Sequence, residues 1–255
     1  MIHHVELGPE DAPVVLFVHG SMDRGNSFAH VAKRLRDRFR VITVDRRGHA
    51  HSLALGPPDS LSMYVDDLVE VLAGRPAIIV GHSFGGVLAC MLAAHHPELA
   101  LALVAYEMPL NWQSDWPSTS AAGAALDNPD PADAAEAFMR RMIGDRLWER
   151  LPEKTRSERR AEGRAFVAEI LLVRGGGRPF DPDAINCPTV MARGTTSPPH
   201  LRLAAELMAV RIAHSHLIVL NGDGHDAHSA DPGGFASLVE HAARMAGLSP
   251  SSSTL

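Results

Sequence analysis

A short apolar run that turns directly into a helix constrains this chain more than any other stretch. Residues 77–80, with the sequence AIIV, are typical of a strand buried on both faces. Apolar residues at helical spacing resume with Val87 and Leu88. Residues 81–85, GHSFG, lie between the two and form a G-x-S-x-G pattern. The sequence therefore predicts a strand, a sharp turn and a helix with no spacer.

The spacing of this pattern has a physical reason. A serine on a strained turn between a strand and a helix presents its hydroxyl clear of the sheet. Gly81 and Gly85 are expected where neighbouring backbone passes too close for a Cβ. A helix that begins at Phe84 aims free N–H groups and the positive end of its dipole at the hydroxyl. We predict that Ser83 is a nucleophile; the alternative is a glycine-rich turn with an idle serine.

Length and composition limit the partners of the chain. Its 255 residues are enough for one large α/β domain, or for a core domain with an insertion. The net charge of −6 argues against nucleic acid or an anionic membrane as the main partner. Cys90 and Cys187 provide no disulfide framework, and no secretory signal or membrane-spanning run is visible. We expect a cytoplasmic protein, and leave assembly as a homo-oligomer open.

Strand and helix patterns alternate along most of the chain. This alternation predicts an α/β fold with a mostly parallel, doubly wound sheet and right-handed crossovers. Residues 109–183 interrupt it, because they contain helical periodicity and no strand. We predict an α/β core of residues 1–108 and 184–248, an inserted helical cap of residues 109–183, and a flexible tail of residues 249–255.

Several element boundaries follow from the same patterns. The apolar residues predict a first strand over residues 2–7, a helix over residues 28–38, and a single helix over residues 156–172. Ser60 is predicted to cap the helix that follows it. The last strand is predicted over residues 216–220.

A serine nucleophile needs a base within hydrogen-bond reach and an acid that orients the base. In α/β chains with this turn, the order serine, acid, histidine places the base after the last strand. His225 lies there, flanked by Gly224. His225 is therefore the predicted base, and His228, three residues later, is the alternative.

Four segments together resemble the α/β-hydrolase family over nearly the whole chain. They are residues 19–22 (HGSM), 45–48 (DRRG), 81–86 (GHSFGG) and 222–225 (GDGH). The resemblance implies the α/β-hydrolase fold. A serine at position 83 is unlike the haloalkane dehalogenase and epoxide hydrolase branches of the family, which use aspartate there.

The resemblance also implies an oxyanion hole. In this family, the loop similar to residues 19–20 supplies half of it. The backbone N–H groups of Ser21 and Phe84 are therefore the predicted donors, with Met22 as the alternative to Ser21. His19 is expected to brace its loop and His82 to pack beside the turn at Ser83, and neither is expected to take part in chemistry.

The position of the acidic residue departs from the family pattern. Most members place an aspartate just after the strand that corresponds to residues 188–192, but residues 193–200 of this chain contain no carboxylate. Some branches carry the acid at the end of the strand before the cap, where this chain has Glu107. Glu107 is the predicted acid, with Asp223 and Asp115 as alternatives. A Glu107 that only braces the cap hinge is the non-catalytic interpretation.

Large apolar side chains follow Glu107 and recur beside the predicted site. They are predicted to line an apolar substrate pocket, with packing inside the cap as the alternative for the tryptophans; the residues are Met22, Met108, Trp112 and Trp116. A small apolar ester-like molecule is the predicted substrate.

The predicted protein is a serine hydrolase that cleaves a carboxylic ester, lactone or thioester through an acyl-enzyme, with no metal or organic cofactor. The same residues would also serve a carbon–carbon bond hydrolase, or a cofactor-free haloperoxidase or perhydrolase. A non-catalytic ligand-binding module of this fold is the alternative from a different class.

Overall fold

One seven-stranded sheet organises residues 1–248, the part of the chain that the computed structural model describes. The tail predicted for residues 249–255 lies outside the described residues. The strand order is β1-β3-β2-β4-β5-β6-β7, and only the β1–β3 pair is antiparallel. The strands are β1 (His4–Leu7), β2 (Val14–Val18), β3 (Arg40–Val44), β4 (Ala77–His82), β5 (Ala100–Tyr106), β6 (Thr189–Gly194) and β7 (Ser215–Leu220). The prediction of a mostly parallel sheet is confirmed.

Eleven α-helices accompany the strands within residues 1–248. They are α1 (Ala29–Leu35), α2 (Leu61–Leu72), α3 (Phe84–His95), α4 (Ala121–Ala125), α5 (Pro131–Ile143), α6 (Asp145–Arg150), α7 (Glu153–Ala161), α8 (Gly163–Gly175), α9 (Pro199–Arg211), α10 (Ala227–Ala230) and α11 (Pro232–Met245). Short 3₁₀ helices lie at Gly25–Phe28, Ala50–Leu55, Pro97–Leu99 and Pro182–Ala184. None of the helices in this described part of the chain is long and apolar enough to cross a membrane.

The inner strands β2 to β6 are buried on both faces, which explains why most of their residues are apolar, whereas the edge strands β1 and β7 are partly exposed. In β4, Ile79 packs with α2, α3 and α9, whereas Ile78 and Val80 pack with α1 and α11 on the opposite face. Side chains that alternate between two cores require apolar residues at every position. The doubly wound α/β fold predicted from the alternation is therefore confirmed.

The helices α4–α8 form a segment between β5 and β6 and contain no strand. Their apolar residues form a cluster of their own, centred on Phe138, Trp148 and Phe166. Met22, from the loop after β2, is the one residue of the sheet region in that cluster. The helical segment therefore packs its own core directly over the carboxyl end of β2.

The helix predicted over residues 156–172 is two helices. The chain bends at Glu162, between α7 and α8, and this buried carboxylate accepts a hydrogen bond from the Ala50 N–H at 3.0 Å. At Gly163, a Cβ would lie 2.0 Å from the carbonyl oxygen of Pro131. The break thus occurs where α8 crosses the start of α5 at close range, a contact that periodicity along one helix does not reveal.

Three smaller boundaries also differ from the prediction. The first strand begins at His4 rather than at residue 2, because Ile2 packs into the core. The helix predicted over residues 28–38 is α1, and Phe28 ends the preceding 3₁₀ turn. Ser60 occupies the N-cap position of α2, but its hydroxyl pairs with the Ser62 hydroxyl at 2.8 Å and makes no capping bond.

The close approach at Gly85 generates a prediction about stability. A Cβ on Gly85 would lie 2.1 Å from the Val18 carbonyl oxygen and 2.6 Å from that of His19, which are backbone atoms that cannot rotate away. We expect Gly85→Ala to lower the free energy of unfolding by about 1–3 kcal/mol or to prevent folding, as measured by urea unfolding followed by circular dichroism.

Gly175 provides the matched control. It ends α8, and a Cβ there would meet no atom within 4 Å. Gly175→Ala should leave stability unchanged or raise it by up to about 1 kcal/mol. Equal destabilisation by Gly85→Ala and Gly175→Ala would contradict the conclusion that close backbone contact at Gly85 excludes a Cβ.

Candidate active site

Ser83 occupies a strained turn at the centre of the sheet. Strand β4 ends at His82, helix α3 begins at Phe84, and the serine between them has φ 52° and ψ −124°. A non-glycine residue rarely adopts such a conformation, which persists only where the surroundings enforce it. The Ser83 N–H donates to the Tyr106 carbonyl of β5 at 2.9 Å, so the turn stays tied to the sheet. The predicted strand–turn–helix is present.

Glycines make the turn possible. A Cβ on Gly81 would lie 2.3 Å from the carbonyl oxygen of Gly85, and one on Gly20 would lie 3.0 Å from the Ser83 Cβ. The main chains of strand β4, helix α3 and the loop after β2 therefore approach one another too closely for side chains to lie between them. Since Ser83 occupies the N-cap position of α3, a twelve-residue helix, the N–H end of that helix points towards it.

Glu107 lies directly after β5, the strand beside β4. It has a positive φ of 50° and its side chain is fully buried. Its Oε2 atom lies 2.7 Å from His225 Nδ1, while its Oε1 atom accepts hydrogen bonds from the Gly194 N–H at 2.8 Å and from the Ser197 hydroxyl. Both carboxylate oxygens are thus fully engaged.

The surroundings keep this carboxylate charged. Burial acts to raise the pKa of Glu107, but the hydrogen bond and charge of His225, with the Gly194 N–H and the Ser197 hydroxyl, outweigh it and hold the pKa below the ordinary value. Glu107 is therefore ionised at neutral pH. Within the described residues, the alternative acids Asp223 and Asp115 make no hydrogen bond to His225.

His225 lies in the loop between β7 and α10. The Tyr106 hydroxyl donates to the Gly224 carbonyl at 2.7 Å, and His82 Nε2 donates to the His225 carbonyl at 2.7 Å. Because Nδ1 faces a carboxylate, it carries the ring proton and Nε2 presents a lone pair. The loop therefore holds an imidazole in the tautomer that a general base requires.

Two cavities meet at these side chains. One has a volume of about 540 Å³ and the other of about 550 Å³. Both are lined by a common set of residues, which are Ser21, Ser83, Phe138, Met142 and His225. Within the described residues, no hydrogen bond joins the Ser83 hydroxyl to His225; such bonds are often long before a substrate binds. The serine and the histidine thus share one site with space on either side.

The predicted pocket residues divide between the cavities and the core. Trp116 lines the first cavity beside His200, with ring centroids 4.9 Å apart, and Met22 lines the second. Met108 and Trp112 line neither, which corrects the prediction for both. Met108 is fully buried against α3, where a Cβ on Gly86 would lie 3.0 Å from its own Cβ.

Trp112 faces a different part of the molecule. Its ring packs edge-on against Phe180, with centroids 5.8 Å apart, beside a small cavity lined by Leu110 and Met208. The chain therefore turns between Trp112 and Trp116, so that two rings four residues apart in an irregular stretch point to different places. Spacing in sequence does not reveal this, since no helix or strand sets a period there.

A buried arginine holds the loop of residues 19–22. The Arg46 side chain donates to the carbonyls of His19 at 3.0 Å and Gly20 at 2.9 Å. The backbone N–H of Arg46 donates to His19 Nε2 at 3.0 Å. Burial, with the neighbouring Arg46 charge, holds the pKa of His19 well below its usual value, so the ring is neutral and accepts this bond. His19 therefore braces the loop, as expected.

Glu169 is a site-supporting residue that the sequence interpretation missed. Its carboxylate lies 2.8 Å from Arg46 Nη1 and accepts a bond from the Tyr64 hydroxyl at 3.3 Å. Glu169 is fully buried in α8, between the apolar Phe166 and Ile170. A single acid inside an apolar helical pattern was the available signal, because a buried charge requires a partner.

Comparisons with known proteins agree with this architecture. A model of the alpha/beta hydrolase family matches residues 15–238. Epoxide hydrolase 1 of Caenorhabditis elegans is 29% identical over 116 residues, which cover 42% of this chain and 28% of that protein. The bifunctional esterase/perhydrolase DCH of Acinetobacter calcoaceticus is 36% identical over 101 residues, which cover 38% of this chain and 37% of that protein.

Solved structures cover more of the molecule. The enol-lactonase from Burkholderia xenovorans LB400 superimposes with a TM-score of 0.75 at 21% identity, over 94% of this chain and 95% of that one. The curated relatives match over less: the aligned part spans 28% to 40% of their length. Their activities therefore do not transfer directly. The family model matches most of the sequence, and the fold of that family is the one observed. The chain therefore belongs to the alpha/beta hydrolase family.

Proposed function

We propose that this protein is a serine hydrolase that cleaves a small carboxylic ester, or a related lactone or thioester, through an acyl-enzyme. The observation that carries the proposal is the 2.7 Å contact between the Glu107 carboxylate and His225 Nδ1, at the cavities that His225 shares with Ser83. A buried, ionised carboxylate on the imidazole of a loop that faces a strained serine is the arrangement that nucleophilic catalysis needs.

The proposed mechanism assigns one role to each group. The Ser83 hydroxyl attacks the substrate carbonyl and His225 Nε2 takes its proton. The Glu107 charge stabilises the imidazolium that forms. His225 then protonates the leaving alcohol, and a water molecule activated by the same imidazole hydrolyses the acyl-enzyme.

The developing oxyanion needs donors on the other side of the serine. We assign them to the backbone N–H groups of Ser21 and Phe84, the first in the loop that Arg46 holds and the second in the first turn of α3. Donors that are already oriented stabilise the tetrahedral intermediate without a reorganisation cost. The rigid bracing of residues 19–22 supports this assignment.

The two cavities suggest how a substrate lies. Each is within the size range of small-molecule sites, and the catalytic pair is where they join. We assign the acyl and alcohol parts of the substrate to opposite cavities. The helices α4–α8 supply Phe138 and Met142 to both, so residues 109–183 act as a cap over a core of residues 1–108 and 184–248.

The relatives leave several activities to choose from. Epoxide hydrolase branches of the family use an aspartate nucleophile, and this chain has Ser83 there, which favours acyl transfer over epoxide opening. A perhydrolase, as in the name of the Acinetobacter calcoaceticus relative, would proceed through the same acyl-enzyme with peroxide in place of water. A carbon–carbon bond hydrolase that uses the same residues and a non-catalytic ligand-binding module are the remaining alternatives.

Replacing the nucleophile tests enzyme against binding module. Ser83→Ala should abolish turnover of a short p-nitrophenyl ester while the circular dichroism spectrum stays unchanged, because the substitution removes only a hydroxyl. A fluorophosphonate probe should label the wild type on Ser83, as mapped by peptide mass spectrometry, and should not label the variant. Wild-type turnover in Ser83→Ala would show that another group performs the chemistry.

Removing the charge from the acid tests the triad. Glu107→Gln keeps the size of the side chain but favours the wrong histidine tautomer, so kcat should fall by up to about 10⁴-fold. Asp115→Asn, at an exposed position, is the matched control and should change kcat less than about twofold. Comparable losses in both variants would reject Glu107 as the acid.

The tryptophans test the pocket as a matched pair. Trp116→Ala should lower kcat/KM for longer acyl esters more than for acetate esters. Each buried methylene contributes about 0.8 kcal/mol, or about fourfold in kcat/KM. Trp112→Ala removes an equal ring that lines neither cavity, and the chain-length profile should stay as in the wild type. The proposed pocket is wrong if the profile changes with Trp112 and not with Trp116.

A further inference from the structure

Three side chains in the wall of the second cavity take no part in the proposed mechanism. Asp23 lies in the loop after β2, His82 is the last residue of β4, and His228 is in α10. One ligand atom from each lies within 4.8 Å of the other two. The fold therefore gathers two imidazoles and a carboxylate, from three separate elements, beside Ser83 and His225.

The two imidazoles carry polar atoms without partners. The residues His82 and His228 are 6% and 5% exposed, and Nδ1 of each is buried with no hydrogen bond among the described residues. His82 Nε2 donates to the His225 carbonyl at 2.7 Å, so its Nδ1 holds a free lone pair. Leaving a buried polar atom unpaired costs free energy, so the free lone pair of His82 Nδ1 is available for a ligand.

The charges at this cluster favour a cation. Neutral imidazole nitrogens and a carboxylate oxygen are ligands that zinc prefers. Among the described residues, the ion pair of Asp23 is with His228, a member of the same cluster.

We propose that Asp23, His82 and His228 form a binding site for a divalent transition metal, with zinc as the best-fitting ion. His228 Nε2 lies 3.5 Å from Asp23 Oδ2, close to the separation of about 3.3 Å that two ligands on a tetrahedral zinc require. The remaining ligand position faces the second cavity. A metal ion would thus replace a weak contact and satisfy the lone pair of His82.

Outer contacts already orient two of the three ligands. The Ser27 hydroxyl donates to Asp23 Oδ2 at 2.9 Å, and the His225 carbonyl holds the His82 ring through Nε2. Bonds of this kind fix the ring tautomer and the direction of a ligand before the metal arrives. The second bond also connects the site to the proposed base.

That connection implies a function, which rests on the proposed hydrolase activity. The His82 ring lies 4.6 Å from the His225 ring, centroid to centroid. A divalent cation held by three residues that line the second cavity also occupies space that the proposed function assigns to one part of the substrate. Zinc bound here is therefore a reversible inhibitor of the enzyme.

Binding can be measured without any substrate. Metal-free wild-type protein is titrated with ZnCl₂ by calorimetry and with CoCl₂ by visible absorption, which reports coordination by nitrogen and oxygen ligands. We expect one equivalent to bind at least about tenfold more tightly to the wild type than to Asp23→Asn or to His228→Gln. Asp23→Asn keeps the shape of the side chain, and thermal melts verify that both variants are folded.

A second histidine cluster supplies the matched control. His3, Asp45 and His51 also place ligand atoms within 4.8 Å of one another, but both imidazoles are exposed and Asp45 already accepts the Gly25 N–H at 2.9 Å. His51→Ala should therefore bind zinc as the wild type does. The proposed site is overturned if the wild type binds no metal, or if affinity falls in His51→Ala and not in Asp23→Asn and His228→Gln.

Inhibition is measured separately. Zinc should lower ester turnover of the wild type and of His51→Ala, whereas Asp23→Asn should lose less than half of its own metal-free rate at the same concentration. Normal turnover by wild-type protein that calorimetry shows to be zinc-bound would overturn the inhibitory role. A protein without esterase activity would refute the proposed function, and the calorimetric result would still decide the metal site.

Discussion

The structure depends on backbone contact between three elements around Ser83. Strand β4, helix α3 and the loop after β2 approach so closely that a Cβ on Gly85 would lie 2.1 Å from the Val18 carbonyl oxygen. This closeness forces Ser83 into its strained conformation and brings the loop that contains Ser21 to the same point. Sheet packing on both faces of β4 resists relaxation of that strain. The close packing that stabilises the core therefore also positions the Ser83 hydroxyl.

A buried polar network connects the helices α4–α8 to this centre. Glu169 of α8 pairs with Arg46, which in turn holds the carbonyls of His19 and Gly20. The guanidinium of Arg46 also lies 4.9 Å from the centroid of the Phe84 ring. Breaking a buried ion pair of this kind leaves an uncompensated charge, which costs about 3–5 kcal/mol. Helices that are remote in sequence thus fix the loop whose N–H groups we assign to the oxyanion.

His82 links the proposed catalytic centre to the proposed metal site. Its Nε2 supports the His225 loop, while its Nδ1 is buried without a hydrogen-bond partner among the described residues. The variable position within the G-x-S-x-G pattern therefore contributes a structural hydrogen bond, and that same bond determines which ring nitrogen is left for a ligand. His82, which the sequence predicted only to pack beside the turn at Ser83, thus contacts both the loop of His225 and the second cavity.

The sequence by itself determined the fold class, because strands buried on both faces must be apolar throughout and the alternation with helices admits few topologies. The sequence also predicted that Ser83, His225 and Glu107 lie close together, since residues just past the ends of parallel strands meet at one edge of the sheet. Tertiary structure decided the rest. Met108 packs under α3 and Trp112 packs on Phe180, because contacts between elements, not spacing, direct side chains in an irregular stretch. Pairing of Glu169 with Arg46 likewise required the fold, since the two are 123 residues apart in sequence.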